Sequence, residues 1–148
     1  TCCRLEASAI ETVGEALHDS DACTVHRARL LHTPSSIFPT GPLALKRIKI
    51  SNNAAFTRYA SECAVLARAD HPCIVKPVFF IQDAPCYALV LPLAERGSLS
   101  DMLHRDRGAV STQLPVELVL CYCYDLASAL DYIHSQLAML HRDVKPAN

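Results

Sequence analysis

The sequence predicts an α+β fold, in which an antiparallel β-sheet with one packed helix precedes a mainly helical segment. One observation is a set of short segments before Pro92 in which apolar residues alternate with polar ones or form brief runs. The other is a pair of longer segments, near residues 53–67 and 116–135, with apolar residues at three- and four-residue spacing. Strands present alternate side chains to opposite faces, whereas helices present every third or fourth to one face, so the patterns predict strands and helices respectively.

The composition is typical of a single globular domain. The chain has 148 residues, of which 51% are apolar and 20% charged, so it can bury a core. Its net charge of −1 argues against a nucleic-acid binder that uses a basic surface. No apolar run approaches the roughly 18 residues of a membrane span, and no signal peptide is visible, so we expect an intracellular protein, cytoplasmic or nuclear.

Cysteine is frequent, yet the spacing does not indicate a metal site. No Cys-x-x-Cys pair occurs, and most cysteines lie within apolar periodic segments. Free cysteine behaves as a small apolar residue, so we expect buried, reduced thiols, with a secreted disulfide framework as the alternative. The cysteines are Cys2, Cys3, Cys23, Cys63, Cys73, Cys86, Cys121 and Cys123.

The first third of the chain predicts a hairpin and a long loop. Ser8–Val13 and Cys23–Leu31 alternate loosely with period two and are predicted strands. The polar residues 15–21, which follow Gly14, predict the hairpin connection. Residues 31–42 are rich in proline and serine and predict an exposed loop.

A strand and a helix follow. Residues 43–50 alternate apolar and basic side chains in their second half, as a half-buried strand does, and include Lys46. Ser51-Asn52-Asn53 offers N-cap residues for the next helix, which carries Glu62 and ends before His71-Pro72. Its predicted apolar face consists of Phe56, Tyr59, Cys63, Leu66 and Ala67.

The remaining elements are a second hairpin and two helices. Residues 78–81 and 86–91 are short apolar runs, separated by a polar connection, that predict buried strands. Ser98 can cap a short helix that ends near His104, and Pro115 is suited to the first position of a helix ending near Ser135. The predicted apolar stripe of that last helix comprises Val119, Tyr122, Cys123, Leu126, Leu130 and Ile133.

The last eight residues, His-Arg-Asp-Val-Lys-Pro-Ala-Asn at 141–148, combine three side chains suited to phosphate chemistry. Asp143 can accept a proton, and Lys145 can neutralise phosphate charge. Asn148 offers a neutral oxygen that suits a hard cation such as Mg²⁺. A base, a cation and a metal ligand in one loop indicate phosphoryl transfer. The letters His-Arg-Asp recur at 104–106 without the lysine and asparagine, so we expect those residues to be structural.

This loop resembles the catalytic loop of protein kinases, and its Lys-Pro pair resembles the serine/threonine type. Other segments resemble the same family in the same order: Lys46 on its strand, Glu62 on its helix, and the His71-Pro72 turn. The glycine-rich loop is the exception, because only Gly14 and the closing Val25 fit the family pattern. The resemblance implies a partial kinase domain over 1–148, with an N-lobe at about 1–91, a hinge at 92–97 and the start of a helical C-lobe at 98–148.

The resemblance also implies roles for individual residues. ATP would lie beneath the first hairpin, Lys46 would contact its inner phosphates, and Glu62 would hold Lys46. Leu91 would limit the depth of the adenine pocket, while the Pro92 carbonyl and the Ala94 N–H would meet the adenine edge. The implied nucleotide-binding residues are Lys46, Glu62, Val25, Ala44, Pro92, Ala94 and Gly14.

The implied function is ATP-dependent phosphoryl transfer to a serine or threonine hydroxyl of a protein substrate. Asp143 would deprotonate the hydroxyl, Lys145 would stabilise the transferring group, and Asn148 would bind Mg²⁺. Because the sequence contains no Asp-Phe-Gly after Asn148, we expect the given chain to be a fragment that is itself inactive. The alternative is a pseudokinase that serves as a binding or scaffold module, which the poor glycine loop favours and the retained Lys46 and Asp143 disfavour.

Overall fold

A computed structural model of the chain describes residues 3–32, 41–104 and 114–148. These residues form two compact units. The first contains the described residues up to Arg68 together with Val75–Leu93, and the second contains those of 69–74 and 94–148. Most of the predicted loop at 31–42 and most of the second His-Arg-Asp tripeptide lie outside the described residues.

The first unit is a six-stranded sheet with one helix. Its strands are β1 (Cys3–Arg4), β2 (Ile10–Asp19), β3 (Cys23–Leu30), β4 (Leu43–Ile48), β5 (Phe79–Asp83) and β6 (Cys86–Pro92), and its helix is α1 (Asn53–Arg68). The spatial order is β1-β5-β6-β4-β3-β2. All pairings are antiparallel except that of β1 with β5. The predicted α+β fold is therefore confirmed.

The β2–β3 hairpin differs from its prediction. Residues 15–19, expected in the connection, continue β2, and the chain turns only at residues 20–22. The reason lies at Gly14, whose φ of 72° is tolerated by glycine and places a bulge in the strand. β2 is an edge strand with nearly every side chain exposed, so no apolar alternation indicates its length.

The two faces of the sheet pack differently. One face carries a cluster of buried residues that includes Leu45, Phe79 and Val90, closed by Leu5 and Ile10 from the start of the chain. The opposite face carries Phe80 and Leu89, which pack against α1. Because Leu45 pairs with Val90 and the next residue, Lys46, pairs with Leu89, Lys46 lies on the face that α1 covers.

The segment before β2, which the sequence did not predict as structured, is fixed to β5. The Arg4 guanidinium lies 2.7 Å from an oxygen of Asp83, and the backbone N–H of Ala7 donates to the other Asp83 oxygen at 3.1 Å. Leu5 is only 3% exposed. A two-residue strand has no detectable period, so only the partners fixed by tertiary structure reveal it.

Helix α1 follows its prediction closely. The Asn52 side chain caps it by accepting a hydrogen bond from the N–H of Ala55 at 2.9 Å. Its buried side chains are Ala55, Tyr59 and Cys63, which recur every four residues on one face. Phe56, predicted on the apolar face, is exposed, and its ring meets the edge of Tyr87.

The second unit contains α2 (Leu99–His104) and α3 (Val116–Ser135), close to the predicted bounds. The turn at 69–74 packs on α3: the His71 Nε2 lies 3.1 Å from the Ser128 hydroxyl, and its ring stacks near Tyr132. No residue of α3 is buried. Among the described residues, no helix has the length and apolar character needed to cross a membrane.

The expectation of buried cysteines is wrong for half of those described. The six described side chains are free thiols, of which Cys63 is buried and Cys23 and Cys86 are half-buried. Cys73, Cys121 and Cys123 are exposed. Two of these lie on α3, whose apolar residues are at most half-buried, so an apolar stripe did not guarantee burial.

Candidate active site

The first arrangement is an ion pair between the sheet and α1. Lys46 on β4 and Glu62 on α1 bring Nζ and Oε1 to 2.7 Å, with 28% and 40% of the respective side chains exposed. Lys46 stands directly opposite Val25 on β3 and Leu89 on β6. The pair is held at the covered face of the sheet, so the lysine ammonium has a defined position.

A cavity of about 400 Å³ lies beside this pair within the first unit. Its walls come from the hairpin turn, from β4 with the residues that follow it, and from α1. Lys46, Lys49 and Arg58 supply positive charge, while Asp21 and Glu62 supply negative charge. Lys49 is itself bound to Asp19 and to the Ser20 carbonyl, both at 2.7 Å. The cavity therefore combines a defined lysine with space for a small polar group.

Three other residues implied for nucleotide binding lie on β4, on β6 and in the second unit. Ala44 is buried on β4 and pairs with Leu91 on β6. Pro92 ends β6 and is exposed. Ala94 belongs to the second unit, where its carbonyl accepts a hydrogen bond from the Gly97 N–H at 3.0 Å. None of these residues lines the cavity.

The hairpin turn is formed by serine rather than by glycine. The Ser20 hydroxyl donates to the Cys23 carbonyl at 3.1 Å and accepts from the Cys23 N–H at 3.3 Å. Gly14 lies in β2 before this turn and does not line the cavity. The residues of this segment that line the cavity are Asp21, Ala22 and Cys23.

The second arrangement is the loop at 141–148, where three predicted side chains meet. Lys145 Nζ lies 2.9 Å from Asp143 Oδ2, and the Asn148 amide nitrogen donates to the same oxygen at 2.7 Å. The Asn148 amide also donates to the Asp143 carbonyl at 2.7 Å. Hydrogen bonds from Lys145 first and Asn148 second hold the pKa of Asp143 below its ordinary value. Asp143 is therefore a carboxylate at neutral pH.

The backbone of this loop is fixed at several points. The Pro146 carbonyl accepts a hydrogen bond of 2.7 Å from the N–H of Ser100 in α2. The Asp143 N–H donates to His141 Nδ1 at 3.3 Å. Arg142 has a φ of 63°, which is uncommon outside glycine and costs free energy. The strained residue immediately precedes Asp143, whose side chain contacts Lys145 and Asn148.

The loop offers oxygen atoms of the kind that bind a hard cation. Because the Asn148 nitrogen is bound to Asp143, the amide oxygen is the atom left for another partner. Mg²⁺ takes oxygen ligands and commonly keeps water and substrate phosphates among them, so one amide and one carboxylate fit a partial site. Among the described residues, no group of three His, Cys, Asp or Glu side chains could hold a metal alone.

Tyr59 has a polar role that the apolar stripe of α1 does not indicate. Its hydroxyl lies 2.8 Å from the Ile81 carbonyl and 3.2 Å from the Ala88 carbonyl. A buried tyrosine hydroxyl usually has a hydrogen-bond partner, so its place on a buried helix face was the available indication.

Comparison with known proteins shows that most of the chain is similar to protein kinases. A family model described as the protein kinase domain matches residues 40–148. The serine/threonine/tyrosine-protein kinase HT1 of Arabidopsis thaliana is 29% identical over 118 residues, which cover 76% of this chain and 29% of that protein. The serine/threonine-protein kinase PkaB of Streptomyces coelicolor is 31% identical over 113 residues, covering 74% and 26%.

A further relative comes from a third organism. The MAP kinase kinase kinase wis4 of Schizosaccharomyces pombe is 34% identical over 110 residues, which cover 72% of this chain. The chain spans 29% of the first relative, 26% of the second and 7% of the third. The similarity therefore concerns one part of each longer protein.

Proposed function

Because the chain belongs to the protein kinase family, we propose that it supplies catalytic groups for ATP-dependent phosphoryl transfer to a serine or threonine hydroxyl of a protein. The observation that supports this most directly is the contact of Asp143 with both Lys145 and Asn148. A proton acceptor, a cation and a neutral oxygen ligand are thereby held in one short loop. Such positioned charges are the main contribution that a protein makes to phosphoryl transfer.

In the proposed reaction, the substrate hydroxyl oxygen bonds to the γ-phosphorus of ATP. The bond from that phosphorus to the oxygen bridging the β-phosphate breaks, and ADP leaves. Asp143 accepts the hydroxyl proton. It can do so at neutral pH because its lowered pKa keeps the carboxylate ionised. Lys145 transfers its contact from Asp143 to the phosphoryl oxygens as negative charge moves onto them.

Two further residues complete the proposed set. Lys46, held by Glu62, contacts the inner phosphates of ATP. Asn148 presents its amide oxygen to Mg²⁺, which neutralises phosphate charge when bound. The nucleotide-binding roles of Val25, Ala44, Pro92, Ala94 and Gly14 belong to the same proposal. The serine/threonine preference rests on the Lys145-Pro146 pair and on the names of relatives.

The test is transfer of labelled γ-phosphate by the full-length protein that contains this sequence. Asp143→Asn keeps the size of the side chain but removes the proton acceptor, and we expect a rate about 10²- to 10⁴-fold lower. Asp106→Asn, in the second His-Arg-Asp tripeptide, is the matched control and should retain the wild-type rate. Equal rates for Asp143→Asn and the wild type would reject the proposal.

A second candidate is a pseudokinase that binds partners without catalysing transfer. The observation that favours it is the hairpin turn, where Ser20 and Cys23 stand without a glycine that would let backbone N–H groups approach phosphate closely. The isolated 148-residue chain, which contains no Asp-Phe-Gly, is proposed to transfer no phosphate under either candidate. Label transferred by full-length wild type but not by Asp143→Asn would exclude the pseudokinase.

A further inference from the structure

Tyr59 connects α1 to two strands through a single hydroxyl. The O–H donates to the Ile81 carbonyl on β5 at 2.8 Å and lies 3.2 Å from the Ala88 carbonyl on β6. Ile81 and Ala88 are direct partners in the β5–β6 ladder. The hydroxyl therefore meets the sheet where two of its inner strands, β5 and β6, are themselves paired.

The hydroxyl is a permanent donor at this position. Only 2% of Tyr59 is exposed. Burial, the largest cause, raises the pKa of Tyr59 well above its ordinary value, so the hydroxyl keeps its proton throughout the physiological range. Its ring also packs edge-on against Tyr87 with centroids 5.7 Å apart. The hydroxyl can therefore donate to the sheet throughout the physiological pH range.

Few directional contacts fix α1 on the sheet. Within the described part of the chain, the side chains of α1 make two polar attachments to strands, namely Tyr59 to the carbonyls and Glu62 to Lys46. The remaining contacts are apolar, including Cys63 with Phe80 and Leu89. Apolar contacts are not directional, whereas hydrogen bonds depend steeply on geometry. The Tyr59 bond therefore resists rotation and sliding of the helix.

The spacing along α1 makes Glu62 sensitive to such motion. Glu62 follows Tyr59 by three residues and lies about one turn away. A helix rotation of about 20° would carry a side-chain tip, roughly 5–6 Å from the axis, through about 2 Å. Lys46 Nζ and Glu62 Oε1 are 2.7 Å apart, so a displacement of this size away from Lys46 would break the ion pair.

We propose that the Tyr59 hydroxyl is a positioning group that holds Glu62 against Lys46 by fixing the rotation of α1. The role of Lys46 in the reaction rests on the proposed function, but the coupling from Tyr59 to the ion pair does not. Loss of one such hydrogen bond corresponds to a roughly 2- to 10-fold change in the population of the paired state.

The test measures Lys46 itself, without nucleotide or transfer. Trace acetylation of the folded protein, read by mass spectrometry, reports how available each lysine amine is, and an amine engaged by a carboxylate is less available. Tyr59→Phe should raise the acetylation rate of Lys46 about 2- to 10-fold. Lys49, whose partner is Asp19 rather than a residue of α1, is the internal reference and should not change.

Two further variants separate positioning from general destabilisation. Tyr87→Phe removes a neighbouring hydroxyl that has no hydrogen bond within the described residues, so its Lys46 rate should equal the wild type. Glu62→Gln should raise the Lys46 rate, and adding Tyr59→Phe to it should give no further increase, because both changes act through one contact.

Several results would overturn the proposal. They are an unchanged Lys46 rate in Tyr59→Phe, an equal increase at Lys46 and Lys49, or effects of Tyr59→Phe and Glu62→Gln that multiply. If Tyr59→Phe does not fold, 3-fluorotyrosine at position 59 keeps the hydroxyl and makes it a stronger donor. The Lys46 rate must then fall below the wild type, and an unchanged or higher rate would reject the coupling. All these outcomes hold whether or not the protein transfers phosphate.

Discussion

Replacing Glu62 by glutamine should separate the catalytic effect of the Lys46–Glu62 pair from its effect on stability. The substitution removes the negative charge and keeps the side-chain size. With side chains 28% and 40% exposed, the pair is partly surrounded by solvent, which screens its attraction. Charges about 4 Å apart attract by roughly 1 kcal/mol in water and 4 kcal/mol at an intermediate dielectric, and ordering of the side chains offsets part of this.

The net contribution of the pair to stability is therefore about 0.5–1 kcal/mol. This is small beside the roughly 5–15 kcal/mol by which domains are stable, so Glu62→Gln should fold normally. Catalysis is more sensitive, because a misplacement of about 1 Å can reduce a rate about 100-fold. We expect kcat/KM of the full-length protein to fall about 10- to 100-fold.

The matched control is Glu11→Gln. Glu11 pairs with Arg29 at the edge of the sheet, and its side chain is 39% exposed, close to the 40% of Glu62. Urea denaturation of both variants should give similar small losses of stability, while only Glu62→Gln should lose activity. Equal kcat/KM for the two variants, or a loss of several kcal/mol of stability in Glu62→Gln, would show that the pair does not act mainly on catalysis.

Three other predictions concern separate parts of the chain. Lys145→Met should raise the pKa of Asp143 toward its ordinary value, because Lys145 is the first cause of its depression; carboxyl NMR titration measures the midpoint, and an unchanged midpoint would contradict the assignment. A carboxyl group whose pKa is lower in the folded than in the unfolded state stabilises the fold above the unfolded-state pKa, which is about 3.9 for aspartate. In the wild type, the contribution of Asp143 to stability should therefore be lost as the pH falls through its folded-state pKa. Leu5→Ala should cost about 2–3 kcal/mol in urea denaturation, whereas Ser8→Ala at an exposed site should change little. Asn52→Ala should cost about 1 kcal/mol by loss of the α1 cap, and Asn53→Ala should not.

The sequence predicted α1 and the central strands well for a local reason. A cap at Asn52 and a repeated apolar face fix the helix ends, and buried strands such as β6 carry continuous apolar runs. The loop at 141–148 was also predictable as a unit, because its three polar side chains are close in sequence and a local turn is enough to bring them together.

The predicted and observed structures differ where contacts between distant parts of the sequence determine the conformation. β2 is an exposed edge strand, so its polar residues have the pattern of a loop. They give no indication that the strand continues to Asp19. The Tyr59 hydroxyl has partners on β5 and β6, which no spacing along α1 could indicate. Exposure of Cys121 and Cys123 depends on what covers α3 rather than on the pattern of α3 itself.

The proposed function requires that Asp143 and its neighbours support phosphoryl transfer to serine or threonine. The most direct measurement supplies the full-length protein with labelled ATP and three peptides that differ only in carrying serine, threonine or tyrosine. We expect label on the serine and threonine peptides, reduced at least about 100-fold by Asp143→Asn. Label confined to the tyrosine peptide, or no label above that of Asp143→Asn, would contradict it.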